Sequence, residues 1–208
     1  FKLVIDNEED LSGLSDGLIA AAAQTATDNG EEDKWMFTLQ QPSWLPFLQY
    51  ADNRDLREKL YKAMYNRGDN DNQYDNKENI NKIVNLRTEK ANMMGFDSHA
   101  AFVMEERMAK TPENVYDLLN EVWDYAVPQA KKEAAELQSI IDAEGEDFKL
   151  QSWDWFYYTE KVREQKYALN EAELKPYFKM ENVREGVFAT ASKLYGLNFK
   201  KLDNVPVY

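Results

Sequence analysis

Among residue types that carry enzyme chemistry, this chain of 208 residues holds many carboxylates, a single histidine, His99, and no cysteine. Cysteine nucleophiles, thiolate zinc sites and disulfide scaffolds are thereby removed, and any site that needs two histidines is incomplete. His99 opens an expected helix, with Glu106 two turns on near the same face. One imidazole and one carboxylate fall short of the three or four ligands that zinc takes, so His99 reads as a packed or polar residue of a first helical turn. The stretch Gly68-Asp69-Asn70-Asp71-Asn72-Gln73 opens like a calcium loop. With Asp69 as first ligand, however, the turn position is Tyr74 instead of Gly, and the final bidentate position is Ile80 instead of Glu. It reads as a solvated loop before a helix. No glycine-rich phosphate loop and no G-x-S-x-G elbow is present. The expected catalytic residues are therefore none, and the expected metal ligands none.

The densest unusual segment is Trp153-Asp154-Trp155-Phe156-Tyr157-Tyr158. Aromatics at successive helical positions point in about four directions, so they cannot all enter one core. Two readings stand: the wall of an aromatic cleft, or a helix buried between two layers. Asp154 lies near the helix N-terminus, where the dipole favours a carboxylate.

Helices must position these residues. Ser15 caps a small-residue helix from Asp16 to about Asn29, stopped by Gly30. Trp35 to Leu39 is a short extended run, and Pro42 and Pro46 then break the chain. Helices follow over about 53–66 and 76–94, the second ending at Gly95, and another is capped by Asp97 or Ser98 and reaches about Met108. Thr111-Pro112-Glu113 is a cap, a first-turn proline and a first-turn acid. The helix it starts carries Val115, Leu118, Leu119, Val122, Trp123 and Ala126 at helical spacing, and continues through Pro128, with a kink, to about Ala143. Ser152 caps the aromatic helix, Asn170 caps a short turn before Pro176, and a last helix runs from about Glu181 to Tyr195. The expected fold is all-α: an irregular multi-helix array with one short β element near residues 35–39, and no linker dividing 1–208.

Hydrophobic residues make up 43% of the chain, enough for a buried core, and the formal net charge of −13 repels nucleic acid and anionic lipid. No segment is apolar and long enough for a membrane span, and no signal peptide is visible. The chain starts without Met and stops in the apolar run Val205-Pro206-Val207-Tyr208. It reads as an internal piece of a longer protein.

Trp153-Asp154-Trp155 with Tyr158, Glu160-Lys161-Val162-Arg163, Leu174-Lys175-Pro176-Tyr177-Phe178, Glu185-Gly186-Val187-Phe188 and Leu194-Tyr195-Gly196-Leu197 occur in that order. Upstream stand Ile83-Val84, Leu86-Arg87, Met94-Gly95-Phe96, His99-Ala100-Ala101 and Met108-Ala109-Lys110-Thr111-Pro112-Glu113. This ordered set resembles the thimet-oligopeptidase-like zinc metallopeptidases, and within them the bacterial dipeptidyl carboxypeptidase branch. The resemblance implies a helical, two-lobed parent enclosing a narrow channel that admits oligopeptides. It also implies a zinc ion held by an H-E-x-x-H helix and a downstream Glu, the motif Glu activating water. This chain lacks that motif, so the resemblance makes it a non-catalytic helical portion preceding the catalytic helix, and no zinc role passes to His99. Trp155 and Tyr158, three residues apart, share a helix face about 200° from Trp153. They are the expected substrate-channel residues, with Trp153 packed inward. The implied partners are an oligopeptide substrate and the rest of the same polypeptide, and the implied compartment is the cytoplasm, or the periplasm if a signal peptide precedes this segment. Two alternatives are the oligopeptidase (endopeptidase) branch and a stand-alone acidic helical interaction module.

Overall fold

The computed structural model describes residues 1–168 and 174–204. The turn expected at Asn170 and the run Val205–Tyr208 lie outside them. Two compact units divide the chain, Phe1–Val162 and a second that begins at Arg163.

The first unit opens with β1 (Lys2–Ile5), which pairs antiparallel with β2 (Trp35–Thr38) and sets Leu3 opposite Phe37 and Ile5 opposite Trp35. Period-2 alternation buries Leu3 and Ile5 and turns Lys2 and Val4 outward. Between the strands lies α1 (Asp16–Asp28), capped by the Ser15 hydroxyl, which accepts a bond from the Leu18 amide. The fold is mainly α, with this small sheet as its only β structure among the described residues.

Pro42 and Pro46 do not break the chain. They lie inside α2 (Gln41–Tyr50). Pro42 sits in the first turn, where an amide has no helical partner to lose, and Pro46 forgoes a single bond. Burial outweighs that loss: Phe47 and Leu48 are both wholly buried, and the Phe47 ring meets the edge of Phe37 at 4.6 Å. The first core joins Leu3, Ile5, Phe37, Phe47, Leu48 and Leu60.

Next come α3 (Arg54–Tyr65), capped by Asn53, α4 (Lys77–Met93), α5 (His99–Met104), capped by Ser98, and α6 (Pro112–Ala143), capped by Thr111. Helix α5 stops four residues short of the expected Met108. The long α6 runs through Pro128 without interruption. Its C-terminal end lays Leu137, Ile140 and Ile141 against Tyr158 of α7 (Trp155–Tyr167), forming the second core.

In the second unit, α8 (Met180–Tyr195) ends at Gly196 with φ +67, the left-handed stop that a glycine accepts at no cost. Ser192 donates its hydroxyl to the Leu197 carbonyl, and Phe188 stacks on Phe199 at 4.2 Å, folding the tail back on the helix.

Candidate functional site

Asp154 is the only fully buried carboxylate among the described residues. Arg54 grips it from the first turn of α3, Nε donating to Oδ1 and Nη2 to Oδ2, each at 2.9 Å. Arg57, one turn on and as deeply buried as Asp154, reaches Oδ1 at 3.3 Å, and the Gln151 backbone amide donates to Oδ2 at 3.0 Å. Two cations and an amide donor satisfy the charge that burial would otherwise make costly. The same carboxylate holds the Arg54 guanidinium more firmly protonated, chiefly through their hydrogen bonds.

Both guanidinium groups also lie on aromatic faces. Arg54 covers the Phe148 ring and Arg57 the Tyr157 ring, each at 4.0 Å. Arg57 donates to the carbonyls of Ala51 and Asp52 at 2.7 and 3.0 Å. The Tyr157 hydroxyl donates to the Asp52 carboxylate at 2.8 Å, and Ser12 donates to the other oxygen at 2.6 Å. Burial, with Asp52 beside it, pushes the Tyr157 phenol well above its ordinary range. A continuous polar seam thus ties the N-terminal turn, the α2–α3 corner and the start of α7.

The aromatic segment divides between the layers on either side of it. Trp153 sits edge-on to Tyr61 of α3, Phe156 meets Trp44 of α2, and Trp155, Tyr157 and Tyr158 pack on the α6 cluster. Trp155 is half-buried, whereas Tyr158 is 3% exposed and aims its hydroxyl at Glu144. Burial, then the Glu144 charge, pushes the Tyr158 phenol up to about 12. Trp155 and Tyr158 do share one face, and in this chain that face meets the end of α6.

His99 is half-buried at the first position of α5, with no hydrogen-bond partner for its buried Nδ1. Among the described residues, no three His, Asp or Glu side chains converge as ligands for a metal ion. The described residues therefore do not fit a zinc site. In the loop before α4, the Lys77 ammonium lies 2.6, 2.7 and 3.0 Å from the carboxylates of Asp69, Asp71 and Asp75. The Lys77 amide and ammonium hold the Asp75 carboxyl down to about 2.

Sequence reasoning missed Arg54, Arg57 and Asp52. A partial signal was present: Arg54 and Arg57 lie one turn apart on one face near the positive end of the α3 dipole, an arrangement that favours a carboxylate beside them.

The profile of peptidase family M3 matches residues 47–208. This chain belongs to that family. It is 37% identical to the dipeptidyl carboxypeptidase of Escherichia coli (strain K12) over 207 residues, covering 99% of this chain and 30% of that protein. The Salmonella typhimurium dipeptidyl carboxypeptidase is 36% identical over the same span, and oligopeptidase A of Salmonella typhimurium 35% identical over 211 residues. The chain spans under a third of the length of these relatives. Peptidase family M3 spans both the α2–α3 corner and the aromatic helix, the two ends of the buried ion cluster.

Proposed function

We propose that this chain is a helical, channel-forming portion of a two-lobed zinc metallopeptidase that removes C-terminal dipeptides from oligopeptides. The portion itself is non-catalytic, and zinc is bound elsewhere in the parent. The observation that carries the reading is the 37% identity to a dipeptidyl carboxypeptidase along nearly the whole chain. One histidine and the absence of H-E-x-x-H support assigning the chemistry to the rest of the polypeptide. The ion cluster then serves as scaffold: it anchors the aromatic helix that forms part of the wall. Of the two expected channel residues, half-buried Trp155 retains surface for a peptide, while Tyr158 contributes by holding α7 on α6.

Oligopeptidase A follows closely at 35% identity, which supports endopeptidase action as the second reading. The proposed partners are oligopeptides and the remainder of the polypeptide. The charge of −13 favours neither nucleic acid nor anionic membrane, and among the described residues no helix is long and apolar enough to cross a membrane. The proposed compartment is the cytoplasm, or the periplasm if a signal peptide precedes this segment.

The test uses blocked oligopeptides with the parent polypeptide and with this chain, each in the presence of zinc. Chelator-sensitive release of C-terminal dipeptides by the parent alone is expected. Internal cleavage favours the second reading. Turnover by the 208-residue chain alone overturns the assignment of chemistry elsewhere.

A further inference from the structure

Helix α6 gives its two halves opposite fates. At the C-terminal end the apolar stripe is buried, with Ile141 fully covered. In the N-terminal half the same periodicity places Leu118, Leu119, Val122 and Trp123 in solvent, Trp123 at 67% exposure. Their side chains fall within about half the circumference of the helix, and Asp117, Asn120 and Asp124 occupy the opposite side. Helix α4 repeats the pattern: Ala91 is buried at its C-terminal end, while Ile80, Ile83 and Val84 are exposed. Contiguous apolar faces of this kind mark surfaces that another element covers.

We infer that these two faces are the docking surface for the part of the parent polypeptide outside this chain, and that its helices present apolar stripes to α4 and α6. The inference rests on the reading of the chain as part of a longer peptidase. Length supports the occupant: the E. coli relative has 30% of its residues in the matched span, so more than two thirds of such a polypeptide remains to supply a cover. Between Pro112 and Ala130, α6 carries Glu113, Asp117, Glu121 and Asp124 and no Lys or Arg. The net charge of −13 carried by every copy opposes close pairing of two such chains, which argues against a second copy as the cover.

Amide hydrogen exchange tests this, with the 208-residue chain at low concentration compared with the same residues in the whole parent. Amides of 116–125 and 80–84 are expected to exchange at least tenfold more slowly in the parent, while those of 137–141, already buried here, change less than twofold. Equal exchange in the two samples overturns the inference. So does protection in the isolated chain that rises with concentration to the parent's level, because a second copy is then the cover. A peptidase assay on the same parent separates the two ideas. A parent that protects α6 but cleaves no peptide keeps the docking surface and removes the functional reading. A parent that cleaves peptides while 116–125 exchange as in this chain removes the docking surface alone.

Discussion

Arg54 and Asp154, a hundred positions apart in the chain, meet in a two-point grip with both bonds at 2.9 Å. With Arg57 as second cation, the pair fastens the aromatic start of α7 to the first turn of α3. Removing the buried carboxylate leaves Arg57 charged, buried and unmatched, which is costlier than losing the contact alone. Asp154→Asn is therefore expected to cost about 3–5 kcal/mol in urea unfolding. Glu144→Gln breaks the more exposed pair with Lys161 and is expected to cost under about 1 kcal/mol. Equal losses in the two variants would contradict the assignment of Asp154 as the anchor.

Gly13 and Gly30 share a left-handed backbone, φ +84 and +80, yet differ in surroundings. A Cβ on Gly13 meets the Tyr50 carbonyl oxygen at 2.0 Å, and nothing lies within 4 Å of one on Gly30. Gly30→Ala is expected to cost only the left-handed penalty, about 1–2 kcal/mol. Gly13→Ala adds displacement of the α2 C-terminus and the Ser12–Asp52 contacts, so its melting temperature is expected to fall clearly further.

Alkaline pH probes the second core. The Tyr158 phenol is raised in the fold to about 12, chiefly by burial. Its ordinary value is about 10, so the stabilisation is complete below pH 10 and is lost as pH rises toward 12. Urea midpoints measured between pH 9 and pH 12 are expected to drop, and Tyr158→Phe to flatten part of that drop. Tyr157, raised in the same direction, accounts for the remainder.

Acid probes the loop before α4. Asp75 is lowered to about 2, first by the Lys77 amide and then by its ammonium. Its contribution is present above the ordinary carboxylate range, near pH 4, and disappears as pH falls through about 2. The amide resonance of Lys77 is expected to titrate in that window, and Lys77→Met to move the midpoint upward. A midpoint near 4 in the unaltered chain would refute the arrangement.

In the parent enzyme proposed above, Trp155→Ala is expected to raise KM several-fold and to cost less stability than Tyr158→Ala. Tyr158→Ala is expected to cost about 3–5 kcal/mol of stability and leave KM of the folded fraction unchanged. Unaltered KM for Trp155→Ala removes that residue from the proposed wall.

Local signals were legible in the sequence wherever one residue decides one helix end. Ser15, Asn53, Ser98 and Thr111 cap as their types require, and Gly196 stops α8. The losses are long-range. Pro42 and Pro46 mark a break by local rules, and only the fit of Phe47 against Phe37 overrides them. Strand β1 needs a partner thirty or more residues away, and Arg57 finds its counter-ion nearly a hundred residues on. No window along the chain contains both members of such pairs. Trp153 to Tyr158 was legible as a crowded aromatic helix, and the structure seats it between two layers because α2 and α3 lie on one side and α6 on the other.

Pro128 lies inside α6, between its anchored end and its bare end. Lacking an amide hydrogen, it leaves one rung of the helical ladder open at that point. From Pro128 to the tip at Pro112 is about 24 Å of rod at 1.5 Å per residue. A flexure of about 10° there swings the tip by about 4 Å over that length, carrying along α5, which packs on it. Pro128 is thus the point at which the bare half of α6 would pivot, and whatever rests on its far end would fix the angle of the arm.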